Sequence, residues 1–464
     1  MTEISYIQQV NKLNNSFVSE NGRPPGMFIQ TFGCQMNERE SEKLHGFLLA
    51  MGYNESPSEE EADLVLYNTC CVRGSAEQKV YGRLGRLKTF KKKQPNKVIV
   101  LCGCMPQREE VIEEVKQNHR HVDVVFGTFN KHHFPRLLFE HLIQRKTVIE
   151  ILQDYSEASA DEFDGQTTRF LPHKAGVTVM HGCDNYCSYC IVPYVRGREK
   201  SRPVEEILTE IEALVADGVK EVLLLGQNVN SYGRGLETPI SFSELLKKIS
   251  EVSGLKRIRF MTSHPKDLSQ ALIETMRDNK KICKHIHLPI QVGSSQILEA
   301  MNRGYTKEQY LQLISRLREA IPDIAIGTDI IVGFPGESEA DFADTLDAVK
   351  QAGFSSAFTF MYSPREGTPA ADLTDEIPKE IVQERFNRLM ETVKPLQLAH
   401  NQQYLNQVVE VMADGESDKP GRFTGRTDDN VLVHFESDNL VTPGDMVNVK
   451  INEYKTFYMA GSAQ

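Results

Sequence analysis

The chain has 464 residues, 40 % of them hydrophobic and 25 % charged, and a net charge of −11. That length exceeds one ordinary core and predicts two or three domains, while the acidic balance excludes a surface coated in positive charge for nucleic acid. No apolar run approaches the roughly 20 residues that span a bilayer, and "MTEISYIQQVNKLNNSF" lacks the pattern of a secretory leader, so no membrane partner and a cytoplasmic setting are expected.

In chain order, short apolar runs first alternate with helical patterns from Met27 to about Glu150. "MFIQTFG" reads as a strand, and "NERESEKLHGFLLAMGY" as a helix capped by Asn37. "ADLVLYNT" is the next strand, followed by a helix from about Ser75. "KVIVLCG", "REEVIEEVKQ" and "VDVVFG" then read as strand, helix and strand. Such alternation predicts an open, mostly parallel α/β sheet over residues 25–150. The polar, acidic "LQDYSEASADEFDGQTTRF" reads as a linker, placed at 151–168.

A second alternating series begins at Val177, with strands at "GVTVMHG", "EVLLLGQN", "RIRFMTS", "HIHLPI", "IAIGTDIIVG" and "SAFTFMYS". About six β/α units predict a partial barrel over 169–400, its chemistry on loops at the strand C-termini. His285 and His287 lie on one of these strands, where only one of the two is expected to face the interior. After the helix "KEIVQERFNRLMETVKPLQLAHNQQYL" the texture changes to short strands, "VVEVMA", "RFTGRT", "VLVHF" and "MVNVKINEY". These predict a small all-β barrel at 401–464, separable from the rest.

Nine cysteines, an odd number in a reducing compartment, point to metal or catalysis rather than disulfides. Cys183, Cys187 and Cys190 in "GCDNYCSYC" have the spacing C-x3-C-x2-C just after a predicted strand. Zinc held by three cysteines of one tight loop is an unusual site. A 4Fe–4S cube on three thiolates, its fourth iron open to a ligand that is not protein, fits better. Cys34 in "TFGCQMN", Cys70 in "YNTCCVR" and Cys104 in "LCGCMPQ" each follow a predicted strand, so a parallel sheet would bring all three to its C-terminal edge as a second cluster site. Lys79 to Lys97 carries eight lysines and arginines without an acid, and "VRGREKSR" follows the tight cysteine loop; both are candidate phosphate paths.

The C-x3-C-x2-C spacing at the mouth of a β/α barrel resembles the radical S-adenosylmethionine superfamily. "TFGCQMNERESEKL", "NTCCVRGSAEQKVYGRLG", "GCMPQ" and "GCDNYCSYCIVPYVRGREKSRP" resemble the methylthiotransferases, nearest the branch that modifies dimethylallyladenosine in tRNA. "HLPIQVGSSQILEAMNRGYT" and "TDIIVGFPGESEADF" continue the resemblance, and "GRTDDNVLVHF" is similar to the RNA-binding TRAM barrel. The resemblance implies two 4Fe–4S clusters, on Cys183, Cys187 and Cys190 and on Cys34, Cys70 and Cys104, with Cys71 and Cys102 as bystanders and Cys283 structural. It implies S-adenosylmethionine both as methyl donor and as the source of a 5′-deoxyadenosyl radical. The reaction so implied replaces the hydrogen on carbon 2 of a prenylated adenosine beside the anticodon, with a low-potential electron donor and a sulfur donor as further partners.

No side chain is expected to act as catalyst, because the cofactors carry the hard chemistry. By resemblance, Tyr189, Gly226, Gln227, Gln291, Arg303 and Gly333 contact S-adenosylmethionine. Arg196, Arg198, Lys200 and Arg202 are placed to take RNA phosphates. The alternatives are a sister enzyme acting on threonylcarbamoyladenosine in tRNA or on an aspartate of a ribosomal protein, a two-cluster electron carrier, and an RNA-binding protein with structural zinc.

Overall fold

The computed structural model describes residues 2–71, 74–153, 168–417, 419 and 421–464. They divide into two compact units, Met1–Phe170 with Ile191–Arg198, and Leu171–Cys190 with Glu199–Gln464. Most of the predicted linker, 154–167, lies outside the described residues.

The first unit is built on a parallel sheet. Its strands are β1 (Gly26–Thr31), β2 (Asn54–Glu55), β3 (Leu64–Thr69), β4 (Val98–Gly103), β5 (Val124–Phe126) and β6 (Val148–Glu150), in the order β2-β1-β3-β4-β5-β6. β3 and β4 are buried at every residue, as expected of central parallel strands with both faces covered, and this is why they read as unbroken apolar runs. One face packs Leu44, Phe47, Leu48, Phe134 and Leu137; the other packs Val80, Leu84, Leu87, Val111 and Val115. The helices are α1 (Glu3–Asn21), α2 (Gln35–Ala50), α3 (Gly74–Lys93), α4 (Glu109–Asn118), α5 (Phe134–Gln144) and the short α6 (Val192–Arg196). α1 has no counterpart in the sequence reading; it buries Ile7 and Val10 in the same core. Helix α2 starts earlier than its predicted Asn37 cap, with Cys34 at the N-cap, because Asn37 turns inward to backbone carbonyls instead.

The second unit carries two three-stranded parallel sheets. β7 (Lys174–Thr178), β10 (Glu221–Leu225) and β11 (Arg257–Phe260) form one in the order β11-β10-β7, and β8 (Met180–His181) pairs antiparallel with β9 (Lys200–Ser201). β12 (His285–His287), β13 (Ala325–Val332) and β14 (Ser356–Met361) form the other, and a lone parallel bridge between Ile258 and Ile282 joins the two series. Amphipathic helices cover the outside, giving the partial β/α barrel. His285 and His287 correct the expectation that only one faces inward. Side chains alternate with a period of two, so residues two apart share a face, and both imidazoles flank the space beside Gly327.

The C-terminal strands β15 (Val408–Glu416), β16 (Arg422–Arg426), β17 (Leu432–Glu436), β18 (Met446–Tyr454) and β19 (Tyr458–Ala463) close into a barrel in the order β15-β16-β17-β19-β18. β19, "YMAGSA", was not legible as a strand because it lacks a β-branched run; its pairing with β17 and β18 is what orders it. The small barrel is fastened beneath the larger one. Arg257 Nη1 donates to Arg426 O at 2.8 Å, and Arg259 donates to Asp428 O at 2.7 Å and Thr427 O at 2.6 Å. Lys284 N–H donates to Asp428 Oδ2 at 2.9 Å, and Lys174 pairs with Asp414 at 2.6 Å. Lys174, Arg257 and Lys284 lie at or just before the starts of barrel strands, and Arg259 lies two residues into β11.

Candidate metal centres

In the second unit, the loop carrying Cys183, Cys187 and Cys190 leaves β8 through Gly182, whose φ of 68° suits glycine. Several contacts hold it from outside. Ser188 N–H donates to Met301 O at 3.0 Å and Ser188 Oγ–H to Ala300 O at 2.8 Å. Asn302 Nδ2 donates to Asn185 O at 3.2 Å and Tyr186 O at 3.0 Å. Cys183 and Cys187 are buried, Cys190 is half-buried, and all are free thiols.

Arg303 is buried at 5 % exposure and stands against this loop. Its Nη1 donates to Cys187 Sγ at 3.3 Å and to Tyr189 Oη at 3.5 Å, Nε to Tyr305 Oη at 3.0 Å, and Nη2 to Pro289 O at 3.0 Å. Its partners are thus a thiol, two phenols and a carbonyl inside the protein, not a carboxylate at the surface. Burial works against its charge, but Tyr189, Tyr305 and Cys187 raise it well above the usual value.

Around the strand ends, Gly226 and Gln227 follow β10, and an added Cβ on Gly226 would stand 2.6 Å from Met180 Cγ. Gly333 follows β13 with φ +79°, and Gln291, buried at 7 %, has φ 71° and backbone bonds to Asp329 and Ile331. Among the described residues, Gln227 Oε1, Asn228 Oδ1, Ser263 Oγ and His264 Nε2 are buried without a hydrogen-bond partner. Val229 N–H donates to Thr262 O at 3.2 Å, joining the two loops that carry them. Orphaned buried polar atoms call for a polar ligand. Ser263 and His264 were missed from sequence; the signal was the polar "TSHP" directly after a strand. Burial, Arg303 and Lys266 bring His264 down to about 2. Its Nδ1 accepts from Lys266 N–H at 3.3 Å, which assigns the ring proton to Nε2.

In the first unit, Cys34, Cys70 and Cys104 follow β1, β3 and β4, three adjacent strands of one parallel sheet. Phe32 N–H donates to Asn68 O and Cys104 N–H to Thr69 O, each at 2.8 Å, which sets the three loops side by side. An added Cβ on Gly33 would stand 2.5 Å from Cys70 Cβ, and one on Gly103 would stand 2.4 Å from Thr69 O. Glycine before the cysteine is therefore what lets these loops approach. Cys71 and Cys102 are fully buried in the apolar core, Cys71 beside Cys104.

Both trios fit an iron–sulfur cube by donor chemistry: three free thiols each, gathered on strand-end loops. Among the described residues no group of three or more His, Cys, Asp or Glu side chains is gathered closely enough to hold a single metal ion. A cube seats its cysteines at separate corners.

Of the four residues placed on RNA phosphates, two need correction. Arg196 is 3 % exposed and its guanidinium is engaged inside the first unit, donating to Glu40 Oε1 and Asn37 Oδ1 at 2.8 Å each. Arg202 donates to Thr178 O and Glu210 Oε2 at 2.7 Å each within the second unit. Arg198 in the first unit and Lys200 in the second are exposed. The basic stretch 79–97 is also partly consumed: Arg83 and Arg86 pair with Glu59, Lys91 with Asp123, and buried Lys97 with backbone carbonyls. Its lysine-rich end closes α3, at the sheet edge away from Cys34, Cys70 and Cys104.

The chain matches three family descriptions: "Radical SAM superfamily" over residues 177–349, "Uncharacterized protein family UPF0004" over 26–127 and "TRAM domain" over 402–463. A tRNA-2-methylthio-N(6)-dimethylallyladenosine synthase of Clostridioides difficile (strain 630) is 48 % identical over 458 residues, covering 98 % of this chain and 95 % of the relative. One of the same name from Lachnoclostridium phytofermentans is 51 % identical over 443 residues, covering 95 % and 96 %. Among solved structures, a radical S-adenosylmethionine methyltransferase from Kitasatospora setae aligns with TM-score 0.48 and 15 % identity over 67 % of this chain and 66 % of its own, too distant to carry more. No helix among the described residues is long and apolar enough to cross a membrane. On its near full-length kinship, the chain belongs to the family of tRNA-2-methylthio-N(6)-dimethylallyladenosine synthases.

Proposed function

We propose that the chain places a methylthio group on carbon 2 of dimethylallyladenosine beside the anticodon of tRNA. It uses S-adenosylmethionine as methyl donor and as radical source, with one 4Fe–4S cluster on Cys183, Cys187 and Cys190 and another on Cys34, Cys70 and Cys104. The observation that carries this reading is the pair of cysteine trios, one on three strand-end loops of the first unit's parallel sheet and the other on the single loop that leaves β8, in a chain of this kinship. When bound, the cluster of the second unit supplies the electron that cleaves S-adenosylmethionine.

The chain's own side chains bind and orient. Arg303 holds the Cys187 sulfur and ties it to the start of the β12–β13 connection through Pro289 O. Gly226 keeps the turn after β10 close to Met180, and Gly333 opens a left-handed turn after β13. Gln227, Asn228, Ser263 and the neutral His264 offer unpartnered polar atoms to S-adenosylmethionine or the base. Exposed Arg198 and Lys200, with the terminal barrel, take RNA phosphates. A low-potential donor and a sulfur donor complete the partners.

The test is to incubate the reconstituted enzyme with prenylated and with unprenylated anticodon stem-loops and with a ribosomal-protein peptide. Methylthio product on the prenylated RNA alone is expected. Equal turnover of both RNAs, or turnover of the peptide, refutes the assignment.

A further inference from the structure

Arg196 lies six residues beyond Cys190 in sequence, yet belongs to the first unit. Its segment is seated there firmly. Thr128 Oγ1–H donates to Val195 O at 2.6 Å, and Ile191 and Val195 join the apolar cluster that includes Cys71, Cys104 and Met105. The guanidinium then meets Glu40 and Asn37 and also hydrogen-bonds the Cys104 side chain.

Asn37 is the junction of the Cys34 and Cys70 loops. Its Nδ2 donates to Phe32 O at 3.1 Å and to Thr69 O at 2.9 Å, the carbonyls two residues before Cys34 and one before Cys70. Its Oδ1, the atom that receives Arg196, also receives the Cys34 thiol at 3.7 Å. Asn68 Nδ2 donates to the backbone carbonyl of Asn37 at 2.8 Å, which holds the main chain of this residue in place.

Around this junction two cations share one carboxylate beside the Cys104 sulfur. Lys131 pairs with Glu40, which is 4 % exposed, so Arg196 is the second cation on one carboxylate. A buried surplus positive charge is costly unless something negative stands by. A cube held by three thiolates is negative overall and would supply that charge at the adjoining strand ends.

We propose that Arg196 is a positioning residue for the cluster of Cys34, Cys70 and Cys104: through Asn37 it fixes the Cys34 and Cys70 loops, and its charge stabilises the reduced cluster. The inference rests on the reading of this trio as a cluster site, and not on the identity of the RNA. A cation beside a cluster makes reduction easier, so charge changes here should shift the midpoint potential with predictable sign.

The full-length chain carrying Cys183→Ala, Cys187→Ala and Cys190→Ala isolates this cluster's signal. In that background Arg196→Gln, Arg196→Lys and Glu40→Gln are compared by iron content, the spectrum of the reduced cluster and a redox titration. Arg196→Gln should move the midpoint to more negative potential and Arg196→Lys should recover most of the shift. Glu40→Gln, which leaves both cations without their carboxylate, should move it to more positive potential. Opposed signs cannot come from general loosening of the fold, and Glu40→Gln with Arg196→Lys keeps the test alive if Arg196→Gln does not take up iron. Unchanged midpoints, or shifts of one sign in all variants, overturn the proposal. Absence of iron from the parent would instead refute the cluster reading itself, whereas potential shifts here together with failure of the stem-loop assay on the enzyme that keeps all its cysteines would leave this inference standing while the substrate assignment fell.

Discussion

Arg303 Nη1 stands 3.3 Å from Cys187 Sγ, and the same guanidinium reaches Pro289 O and Tyr305 Oη. One side chain thus fixes a cysteine ligand to two other segments of the barrel. A lysine retains the charge but not the fork. Arg303→Lys should keep its iron, because the three thiols remain, yet form 5′-deoxyadenosine roughly 10- to 100-fold more slowly, since a charge-assisted hydrogen bond is worth about 1.5–3 kcal/mol. Single-turnover measurement under reducing conditions checks this; a rate equal to the parent's would rule out a role for the contact.

Gly33 predicts a sharper effect in the first unit. It has φ +131°, and an added Cβ would stand 2.5 Å from Cys70 Cβ. Gly33→Ala must therefore push apart two loops that carry thiols, and is expected to lose the first unit's cluster while keeping that of the second. Iron content near half the parent value is the readout, and full iron with unchanged activity would count against the shared site.

Cys71 and Cys102 are fully buried and Cys70 and Cys104 nearly so, so comparing all four replacements separates packing from ligation. Cys71→Ala and Cys102→Ala should each cost about 1–2 kcal/mol of stability from the cavity left behind, and both should retain iron and product. Cys70→Ala and Cys104→Ala should lose product altogether. Parallel product assays on the four variants decide whether the ligands are rightly chosen.

Much of this was legible in the sequence for a physical reason. Strands such as "VLYNT" and "VIVLCG" are buried on both faces and announce themselves as apolar runs, and glycine before cysteine marks a strand-end turn. The roles of Arg196 and Arg202 were not legible, because "RGREKSR" looks the same whether its guanidiniums face phosphate or carboxylate. Only the placement of Glu40 and Glu210 decides it. The histidines of β12 were misread by a simple error of period, and β19 lacked the residues that mark a strand alone.

The terminal barrel also departs from the expectation that it can be removed without harm. Arg257 and Arg259 are 4 % and 6 % exposed, and their donors end on backbone carbonyls of residues 426–428. Truncation near Gln403 would leave both cations without those acceptors. The truncated chain should melt at lower temperature and lose second-unit iron on storage as well as RNA affinity. Thermal unfolding of the two lengths tests it, and identical melting of the barrel would show the contacts to be dispensable.

The same interface predicts an acid limit. Burial would raise Asp429, but hydrogen bonds from His400 and Thr427 bring it down to about 2, below the ordinary carboxyl value. A depressed carboxyl stabilises the folded state above its unfolded value and loses that stability as pH falls through the folded one. The window therefore lies between pH 4 and 2, with about 2 kcal/mol at stake. Asp429→Asn should flatten the stability profile across that window; an unaltered profile would show that other acids dominate.

The chain passes between the two units at residue 170, again at 190 and once more at 198. An expression scheme that divides the gene between codons 152 and 168 would consequently leave the first polypeptide short of Ile191–Arg198, including the arginine that clasps Glu40 and Asn37. Fragment complementation should succeed only when both pieces are present during refolding, with the second lending an arm to the first.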